Sequence, residues 1–422
     1  MAGEERGPRL LEGIRVLDLT RYVAGPYLTR CLAVLGAEVI KVERPKGGDE
    51  GRDHPYQLKD QSGMFLQLNS DKKGLCLDLK HPRGVAIAKE LAAHSDVVVE
   101  NFRPGVMDQL GLGYEALRAV NPRLIMCSIS CFGQSGPYSQ RAGFGLIADA
   151  LSGAMDIVGF PDRPPPIIRI PIADTLTGVH GVGAICAALF ARDRQGRGQW
   201  IDLALLDCMV ALHENALQAY LLSHGEVRTS RCGQHQPSST IYGVFEARDG
   251  CLVIAGHSDA NWGRLAKAMG RPELGEDERY ATMLGRIQHQ KTLVSLVDDW
   301  VKGFGSAREV LACLEAHGVP CAPVHTVQDV VGDPQVTARE MLVEMDHPIA
   351  GRVRLPNLPF KFSDAETHPR VPAPLLGQHN REILATLLGY SGDTIHSLEE
   401  EGVLYHEPAV QHLGAGSSLP TA

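Results

Sequence analysis

Ile14-Arg-Val-Leu-Asp-Leu-Thr-Arg-Tyr-Val-Ala-Gly-Pro26 is the stretch that decides the fold. Its first six residues are rich in strand-forming side chains, and Pro26 suits the first turn of a helix. Leu28, Leu32 and Leu35 then follow at helical spacing, and Gly36 ends the helix. Val39-Ile-Lys-Val42 is predicted as the next strand. The stretch therefore predicts a strand–helix–strand unit.

The same order of elements recurs in the following hundred residues. A helix is predicted near Pro82–Ala93, and strands are predicted at Val97–Val99 and Leu124–Ile129. Strands that alternate with helices are typical of a parallel sheet covered on both faces. We therefore expect an α/β, Rossmann-like domain whose ligands bind beyond the carboxyl ends of the strands.

The middle of the chain no longer shows the regular alternation of strands and helices. Residues 178–222 are predicted to be mostly helical, and residues 223–240 resemble a linker. A hairpin with its turn at Asp249-Gly250 follows, and three helices complete a smaller α+β unit: Asn261–Met269, Arg286–Gly303 and Ala307–Glu315. The final helices are predicted at Asn380–Leu388 and Thr394–Glu401.

These patterns predict a division of the chain into domains. The large domain comprises residues 1–222 and is completed by residues 331–406. The smaller domain, residues 223–330, is inserted between them. Residues 407–422 are rich in Gly, Ser and Pro, and this composition predicts a disordered tail.

Composition excludes several classes of protein. The net charge is −9 and no run of Lys or Arg is present, so nucleic acid is not expected as a partner. The ten cysteines include no CxxC pair, which indicates buried thiols in a reducing compartment. No apolar leader and no segment long enough to span a bilayer are evident. We expect a cytoplasmic protein, or a mitochondrial matrix protein if a transit peptide has been removed.

Searches for common cofactor motifs give negative results. The first strand is not followed by GxGxxG, and no P-loop or GxSxG is present. His213-Glu214 lacks the second His of a zinc metalloprotease helix. We expect neither a metal nor a nucleotide cofactor.

Asp174 is the main candidate for chemistry. It lies in Ile170-Pro-Ile-Ala-Asp-Thr-Leu-Thr-Gly178, where a β-type stretch passes into a helix and a helix N-cap is predicted. An Asp at this position commonly serves only as a cap. A carboxylate held ionised at a helix N-terminus can also act as a nucleophile. From these residues alone both interpretations stand.

The chain resembles the class III CoA-transferases, the formyl-CoA/carnitine type family, over about residues 10–405. The resemblance rests on many fragments in the family's order, which are Leu11-Glu-Gly-Ile-Arg-Val-Leu-Asp-Leu-Thr20, Ala24-Gly-Pro26, Leu35-Gly-Ala-Glu-Val-Ile-Lys-Val-Glu-Arg-Pro45, Gly47-Gly-Asp49, Asn69-Ser-Asp-Lys-Lys-Gly74, Leu77-Asp-Leu-Lys80, Val99-Glu-Asn-Phe-Arg-Pro-Gly105, Leu110-Gly-Leu-Gly-Tyr114, Gly133-Gln-Ser-Gly-Pro137, Ala173-Asp174 with Gly178, Gly196-Arg-Gly-Gln199 and Pro374-Leu-Leu-Gly-Gln-His379. Single fragments would be weak, but their number and order make the resemblance specific.

The resemblance implies a fold, an assembly and a reaction. Two chains interlock as a homodimer, and each has a Rossmann-like large domain with a smaller inserted domain. Asp174 matches the catalytic aspartate. Its carboxylate forms a mixed anhydride with the donor acyl group and then an aspartyl-CoA thioester, from which CoA passes to an acceptor acid. Coenzyme A and its thioesters are thus substrates.

The resemblance also implies contacts with coenzyme A, at Tyr22, Val23, Ala24, Arg44, Leu77, Lys80, Asn101, Phe102 and, less directly, Arg141. Arg44 and Lys80 suit the phosphates, while Leu77 and Phe102 suit the adenine. Without the family, Arg44 and Lys80 would be interpreted as surface charges and Leu77 as core.

Several departures from the family narrow the function. Val23 stands where many relatives have Gln. Phe144 stands where α-methylacyl-CoA racemases would have a His, and a phenylalanine cannot transfer a proton, which disfavours racemisation. The Gly-rich loop of oxalate-type members is not evident at Ala255–Asp259, which argues against formyl-CoA and oxalate. A non-catalytic CoA-binding subunit remains the alternative from another class.

Arg169 lies five residues before Asp174 and is a candidate to bind a second substrate carboxylate. A surface or structural role is an equally good explanation of this Arg. The functional interpretation favours dicarboxylic acids such as succinate, malate, itaconate, mesaconate or hydroxymethylglutarate.

Overall fold

The computed structural model describes residues 9–411, which divide into two compact units. The first contains the described residues up to Ser152, Ile168–His213, and the described residues from Gln335 onward. The second contains Gly153–Ile167 and Glu214–Pro334. The predicted tail lies mostly outside the described residues, and its first part includes a short helix, Pro408–Gln411.

The strands and helices alternate along the N-terminal half. The strands are β1 (Arg15–Asp18), β2 (Glu38–Glu43), β3 (Gln57–Leu58), β4 (Gln61–Ser62), β5 (Lys72–Cys76), β6 (Val97–Glu100), β7 (Ile125–Ser130), β8 (Trp200–Ala204), β9 (Tyr242–Ala247), β10 (Gly250–Ala255), β11 (Cys321–Pro323), β12 (Leu342–His347) and β13 (Gly351–Pro356). The helices are α1 (Ala24–Val34), α2 (Gly63–Leu68), α3 (Pro82–Ala93), α4 (Val106–Gln109), α5 (Tyr114–Val120), α6 (Gly145–Leu151), α7 (Ala154–Ile157), α8 (Ile172–Gln195), α9 (Leu205–Ala211), α10 (Ala216–Leu222), α11 (Asp259–Ala268), α12 (Glu273–Glu276), α13 (Met283–Gln288), α14 (Gln290–Lys302), α15 (Ala307–Ala316), α16 (Val327–Gly332), α17 (Pro334–Ala338), α18 (Asn380–Leu388), α19 (Gly392–Glu400) and α20 (Pro408–Gln411).

A six-stranded parallel sheet forms the centre of the first unit, which confirms the predicted parallel α/β fold. The strand order is β5-β2-β1-β6-β7-β8. Val16 of β1 pairs with Val39 on one side and with Val97 on the other. The chain runs outward from β1 in one direction and then returns to add β6 on its other side. In such sheets ligands bind beyond the carboxyl ends of the strands that flank this reversal, here β1 and β6.

Strands β1, β2, β5, β6 and β7 of this sheet are largely buried, as the runs of Val, Ile and Leu predict, whereas the edge strand β8 is partly exposed. The core includes Leu17, Ile40 and Val98 from the strands, and helix α3 packs on it. Helices α18 and α19 pack into the same core through Ile383 and Leu398. The C-terminal segment thus belongs to the core of the first unit.

Two local predictions from the sequence are wrong, and one hairpin was missed. Trp200–Ala204 is an edge strand paired in parallel with β7, although the sequence analysis placed this segment in a mostly helical region. A segment of five residues is too short for its periodicity to separate strand from helix, and pairing with β7 decides the outcome. The predicted helix Arg286–Gly303 is two helices that meet at His289. The antiparallel β12–β13 hairpin was not predicted.

Helix α8 corrects the prediction that no segment is long enough to span a bilayer. Its 24 residues meet that criterion by length and composition alone, which is weak evidence for a membrane span. The helix packs along α1, where an added Cβ at Gly181 would lie 2.1 Å from Cδ1 of Leu28. It is therefore a packed helix of the first unit.

The second unit has its own sheet and core. The sheet order is β11-β10-β9, all antiparallel, and the predicted hairpin at Asp249-Gly250 joins β9 to β10. Phe245, Leu252, Trp262 and Val297 are buried together beneath its helices.

Candidate active site

A cleft of about 240 Å³ opens beyond the carboxyl ends of β1, β6 and β7 in the first unit. Many of the predicted site residues line it, namely Tyr22, Val23, Ala24, Asn101, Phe102, Arg141, Phe144 and Asp174. The loop after β1 supplies the first three and the loop after β6 the next two. This is the position expected for a ligand in an open α/β sheet.

The loop after β1 rests on a buried network of charges. Lys72 Nζ lies 3.0 Å from the Asp18 carboxylate, and Lys41 Nζ lies 2.8 Å from that of Asp49. Burial alone would raise the pKa of Asp18, but Lys72 and Lys41 outweigh it, so this pKa lies below its ordinary value. Burial also lowers the pKa of Lys72 to about 8, with Asp18 opposing the change.

This network fixes the backbone that carries Tyr22. Asp49 accepts hydrogen bonds from the N–H groups of Tyr22, at 3.0 Å, and Gly51, at 2.8 Å. Tyr22 has a φ of 65°, a left-handed conformation that costs energy for a bulky side chain and must be held by its surroundings. Its ring meets that of Phe144 edge to face at 5.9 Å.

Asn101 holds the neighbouring peptide. It accepts the Arg21 N–H at 2.8 Å and donates to the Arg21 carbonyl at 2.7 Å. The Arg21 guanidinium lies 5.1 Å from the centre of the Phe102 ring and pairs with Glu50 at 2.9 Å. The end of β6 thereby fixes the loop that follows β1.

Asp174 is the third residue of α8, whose N-cap is Pro171, so the prediction of an N-cap aspartate is wrong by three residues. Helix α8 packs closely against α1 because the residue of α8 at the contact is Gly178. An added Cβ at Gly178 would lie 2.9 Å from the Tyr27 ring and 3.0 Å from the Ala24 carbonyl. One turn of helix after Asp174, Gly178 therefore permits the contact that places Asp174 beside the loop after β1.

The electrostatic setting of Asp174 differs from the one expected. Burial and, secondly, the Asp149 carboxylate raise the pKa of Asp174 to about 6. Burial and Asp174 likewise raise the pKa of Cys131 to about 11. A helix terminus was expected to hold Asp174 strongly ionised, but removal from water and a like charge outweigh that effect. At neutral pH the carboxylate is still mostly ionised, and it is more basic than an ordinary aspartate.

Four predicted residues lie elsewhere. Arg44 and Lys80 are exposed, and Arg44 pairs with Glu50 at 3.3 Å. Arg169 is exposed and does not line the cleft. Leu77 is completely buried in the core of the first unit and does not line the cleft, and its contact with adenine stays a prediction.

Several cleft residues were missed by the sequence analysis. Arg21 and Arg103 also line the cleft, as Arg141 does. Each directly adjoins a predicted residue, Tyr22 or Phe102, and this adjacency was the available signal. Cys131 in the cleft gave no such signal, and neither did Asp149 on α6, because their positions near Asp174 depend on how β7 and α6 pack in the folded chain.

Within residues 9–411 no group of three or more His, Cys, Asp or Glu is placed to hold a metal ion. All ten cysteines are free, and five of them are buried. The chemistry that the cleft itself offers is that of a carboxylate nucleophile with cationic and aromatic groups around it.

Comparisons with known proteins agree with this geometry. The profile of CoA-transferase family III matches residues 11–380. The chain is 38% identical to succinyl-CoA–D-citramalate CoA-transferase of Chloroflexus aurantiacus, over 95% of this chain and 99% of that protein. It is 40% identical to succinyl-CoA:glutarate CoA-transferase of Mus musculus, over 93% and 90%. The crystal structure of a CaiB/BaiF family protein from Brucella suis superposes with a TM-score of 0.79 at 37% identity, over 91% of this chain and 100% of that one.

Proposed function

The chain belongs to CoA-transferase family III, and on that premise we propose that it moves coenzyme A from succinyl-CoA to a second dicarboxylic acid, with Asp174 as the covalent nucleophile. The observation that carries the proposal is the carboxylate of Asp174 in the cleft beyond β1 and β6. The names of two relatives similar over nearly their full length, which act on D-citramalate and glutarate, support the substrate class.

The reaction needs no net proton transfer. An Asp174 oxygen attacks the thioester carbon, the C–S bond breaks, and a mixed anhydride and the CoA thiolate result. The thiolate attacks the aspartyl carbon and expels the donor acid, which leaves an aspartyl-CoA thioester. The acceptor carboxylate attacks that carbon and releases the thiolate. The thiolate then attacks the acceptor acyl carbon and frees Asp174. Each step exchanges one activated acyl bond for another.

The raised pKa of Asp174 suits this chemistry. A carboxylate with a pKa of about 6 is ionised at neutral pH and more nucleophilic than an ordinary aspartate. The CoA thiol is a much weaker acid than a carboxylic acid. The CoA thiolate is therefore the poorer leaving group, and a more nucleophilic Asp174 helps to expel it. The cleft guanidinium groups of Arg21, Arg103 and Arg141 provide positive charge for the anions that develop.

For coenzyme A we propose contacts with the loops after β1 and β6, through Tyr22–Ala24, Asn101 and Phe102, together with Arg141. The exposed Arg44 and Lys80 are proposed for its phosphates, since guanidinium and ammonium groups at the surface can bind phosphate with little reorganisation. The contact with Leu77 is not part of the proposal.

Arg169 remains the proposed partner of the second substrate carboxylate. Its side chain is exposed in the segment that leads into α8. In Arg169→Ala we expect KM for glutarate or citramalate to rise about tenfold or more, the size of one charge-assisted hydrogen bond. Arg163→Ala, which removes an exposed arginine of the second unit, is the control. Equal KM values for all three proteins, together with a preference for monocarboxylic acids, would remove this role.

We also propose that the enzyme is a homodimer. The first unit exposes large apolar side chains on three neighbouring helices, including Leu151 of α6, Phe190 of α8 and Val210 of α9, at 50%, 61% and 43% exposure. Large exposed apolar side chains on neighbouring helices support the proposal that this face is covered by a second copy of the chain. Sedimentation at several concentrations tests the assembly, and a monomer at all of them would contradict it.

The decisive experiment follows Asp174 itself. Enzyme mixed with succinyl-CoA is quenched and digested, and the Asp174 peptide is measured by mass spectrometry. We expect an added CoA mass in wild type and its absence in Asp174→Asn, with transfer to glutarate lost by about 10³-fold or more. Asp193→Asn, which alters an exposed acid of the same helix, is the matched control. Full transfer without any adduct on Asp174 would reject the mechanism, and no transfer at all would favour a non-catalytic subunit.

A further inference from the structure

Glu50 joins two arginines, of which one lines the cleft. Its Oε1 oxygen lies 2.9 Å from Nη1 of Arg21 and 3.3 Å from Nη2 of Arg44. Arg21 lines the cleft, while Arg44 is exposed at the surface. The two guanidinium groups are neighbours because they share one carboxylate oxygen. Glu50 therefore connects the cleft to an arginine that is proposed to bind the phosphates of coenzyme A.

The cluster of Arg21, Glu50 and Arg44 is built on the buried carboxylate of Asp49. Glu50 begins a short 3₁₀ helix, and Asp49 caps that helix by accepting the N–H of the residue after Glu50 at 2.8 Å. The same carboxylate accepts the N–H of Tyr22, the residue after Arg21, at 3.0 Å. One buried side chain therefore holds the backbone beside Glu50 and the backbone beside Arg21.

Further contacts hold both guanidinium groups. That of Arg21 lies 5.1 Å from the centre of the Phe102 ring, and Arg44 donates from Nε to the Gly48 carbonyl at 3.1 Å. A side chain that is already held in place loses little conformational freedom when it binds a ligand. Guanidinium groups form charge-assisted hydrogen bonds with phosphate, and two neighbours can bind one phosphate group together. The pair has the chemistry of a preformed phosphate site.

The hydrogen bonds within the cluster are incomplete. Nε of Arg21 and Oε2 of Glu50 are buried, and neither atom has a hydrogen-bond partner among the described residues. Ion pairs between partly exposed side chains contribute little to stability, and buried polar atoms without partners reduce it. Folding stability is therefore a poor explanation of the cluster, whereas binding of an anion would use its positive charge.

The charge of Glu50 opposes such an anion. The two arginines carry two positive charges, and Glu50 cancels one of them. A phosphate that approaches the arginines also approaches the carboxylate, and like charges repel each other. Glu50 thus keeps the arginines side by side in the free enzyme and weakens their attraction for a phosphate. Each catalytic cycle ends with the release of a CoA thioester, which moderate affinity favours.

We propose that Glu50 is a positioning residue for the phosphate groups of the CoA thioester, which holds Arg21 and Arg44 together as one anion-binding pair and limits the affinity of that pair by its own charge. The inference rests on the proposed function, in which CoA thioesters are the substrates. It adds Arg21 and Glu50 to the exposed cations that are proposed for the phosphates.

Glu50→Gln removes the charge and keeps an oxygen that can accept from the arginines. At an ionic strength of about 0.01 M we expect the variant to bind coenzyme A about fivefold to tenfold more tightly than wild type, as measured by calorimetry. The difference should largely disappear at about 1 M, because salt screens partly exposed charges. Glu50→Ala also removes the acceptor and should bind coenzyme A less tightly than Glu50→Gln, since the arginines are then no longer held together.

Glu38→Gln is the matched control. The Glu38 carboxylate also lies between two cations, Arg15 at 2.7 Å and Lys73 at 2.9 Å. It is at the amino end of β2, whereas the cleft lies beyond the carboxyl ends of the strands. This variant should keep the wild-type affinity for coenzyme A and the wild-type salt dependence.

Dephospho-CoA, which lacks the 3′-phosphate, identifies the anion that the arginines bind. If Glu50→Gln also binds dephospho-CoA more tightly than wild type does, the anion is the diphosphate; if that gain is lost, it is the 3′-phosphate. A folded Glu50→Gln enzyme with unchanged or weaker binding of coenzyme A at low salt would overturn the inference. A wild-type enzyme that binds coenzyme A but forms no aspartyl-CoA thioester would instead reject the proposed function.

Discussion

The N–H of Tyr22 donates to the carboxylate of Asp49 at 3.0 Å, across 27 residues of chain. Through this bond the buried ion pair of Asp49 and Lys41 holds the backbone of Tyr22, which lines the cleft. The same carboxylate also accepts a hydrogen bond from Lys41 Nζ at 2.8 Å. The stability of the first unit and the shape of the site are therefore coupled at one side chain.

Asp49→Asn should reveal this coupling. The change leaves the ammonium of Lys41 buried without its charged partner, and loss of one member of a buried pair costs about 3–5 kcal/mol of unfolding free energy. KM for the CoA thioester should rise as well, because Tyr22 loses its anchor. Urea unfolding and steady-state kinetics measure the two effects. Glu401→Gln, which breaks an exposed pair with Arg83, should change the unfolding free energy by about 1 kcal/mol or less.

Gly145→Ala should impair catalysis more than stability. An added Cβ would lie 2.2 Å from Oδ2 of Asp174, so the nucleophile must move. We expect kcat to fall about tenfold or more, since small displacements of a reacting group are expensive. Gly183→Ala is the matched control on α8, where an added Cβ meets no atom within 4 Å. Equal kcat values for the two variants would show that Asp174 tolerates the shift.

Cys131 should react slowly with iodoacetamide at neutral pH. Its pKa of about 11 leaves little thiolate, although it lines the cleft. The rate of modification at Cys131, followed by peptide mass spectrometry, should rise about tenfold per pH unit from 7 to 9 and fall when CoA is bound. Activity should be lost in parallel, and Cys131→Ser should resist this loss. Rapid alkylation at pH 7 would contradict the protonated state.

Asp174→Asn should stabilise the fold at neutral pH. The folded pKa of about 6 exceeds the ordinary 3.8, so the folded state binds a proton more tightly than the unfolded state. The unfolding free energy then falls as pH rises from about 4 to 6, and removal of the carboxylate recovers about 1–3 kcal/mol at pH 7.5. The difference between variant and wild type in urea unfolding should vanish near pH 4. A destabilised variant at pH 7.5 would contradict this.

The strands and helices that carry the site, and Asp174 itself, were easier to predict from the sequence than the residues that surround Asp174. Local patterns identified β1, α1 and β2, and the resemblance singled out Asp174, because both signals lie in contiguous residues. The neighbours that tune Asp174 lie far away in sequence, as Asp149 is on another helix and Cys131 follows another strand. Burial of Leu77 and the strand at Trp200 are likewise tertiary outcomes. Neither is encoded in the spacing of nearby residues.

The contact of Gly178 with α1 has a consequence for how this enzyme can adapt to new acids. Asp174 lies in the first turn of α8, the loop after β1 leads into α1, and a Cβ added at Gly178 would lie only 3.0 Å from the Ala24 carbonyl oxygen. A larger residue at that point would push the two helices apart and move the Asp174 carboxylate relative to the loop after β1, so this position has to stay small. The rings of Tyr22 and Phe144, by contrast, meet at the exposed rim of the cleft, where a change of side chain leaves this helix contact undisturbed.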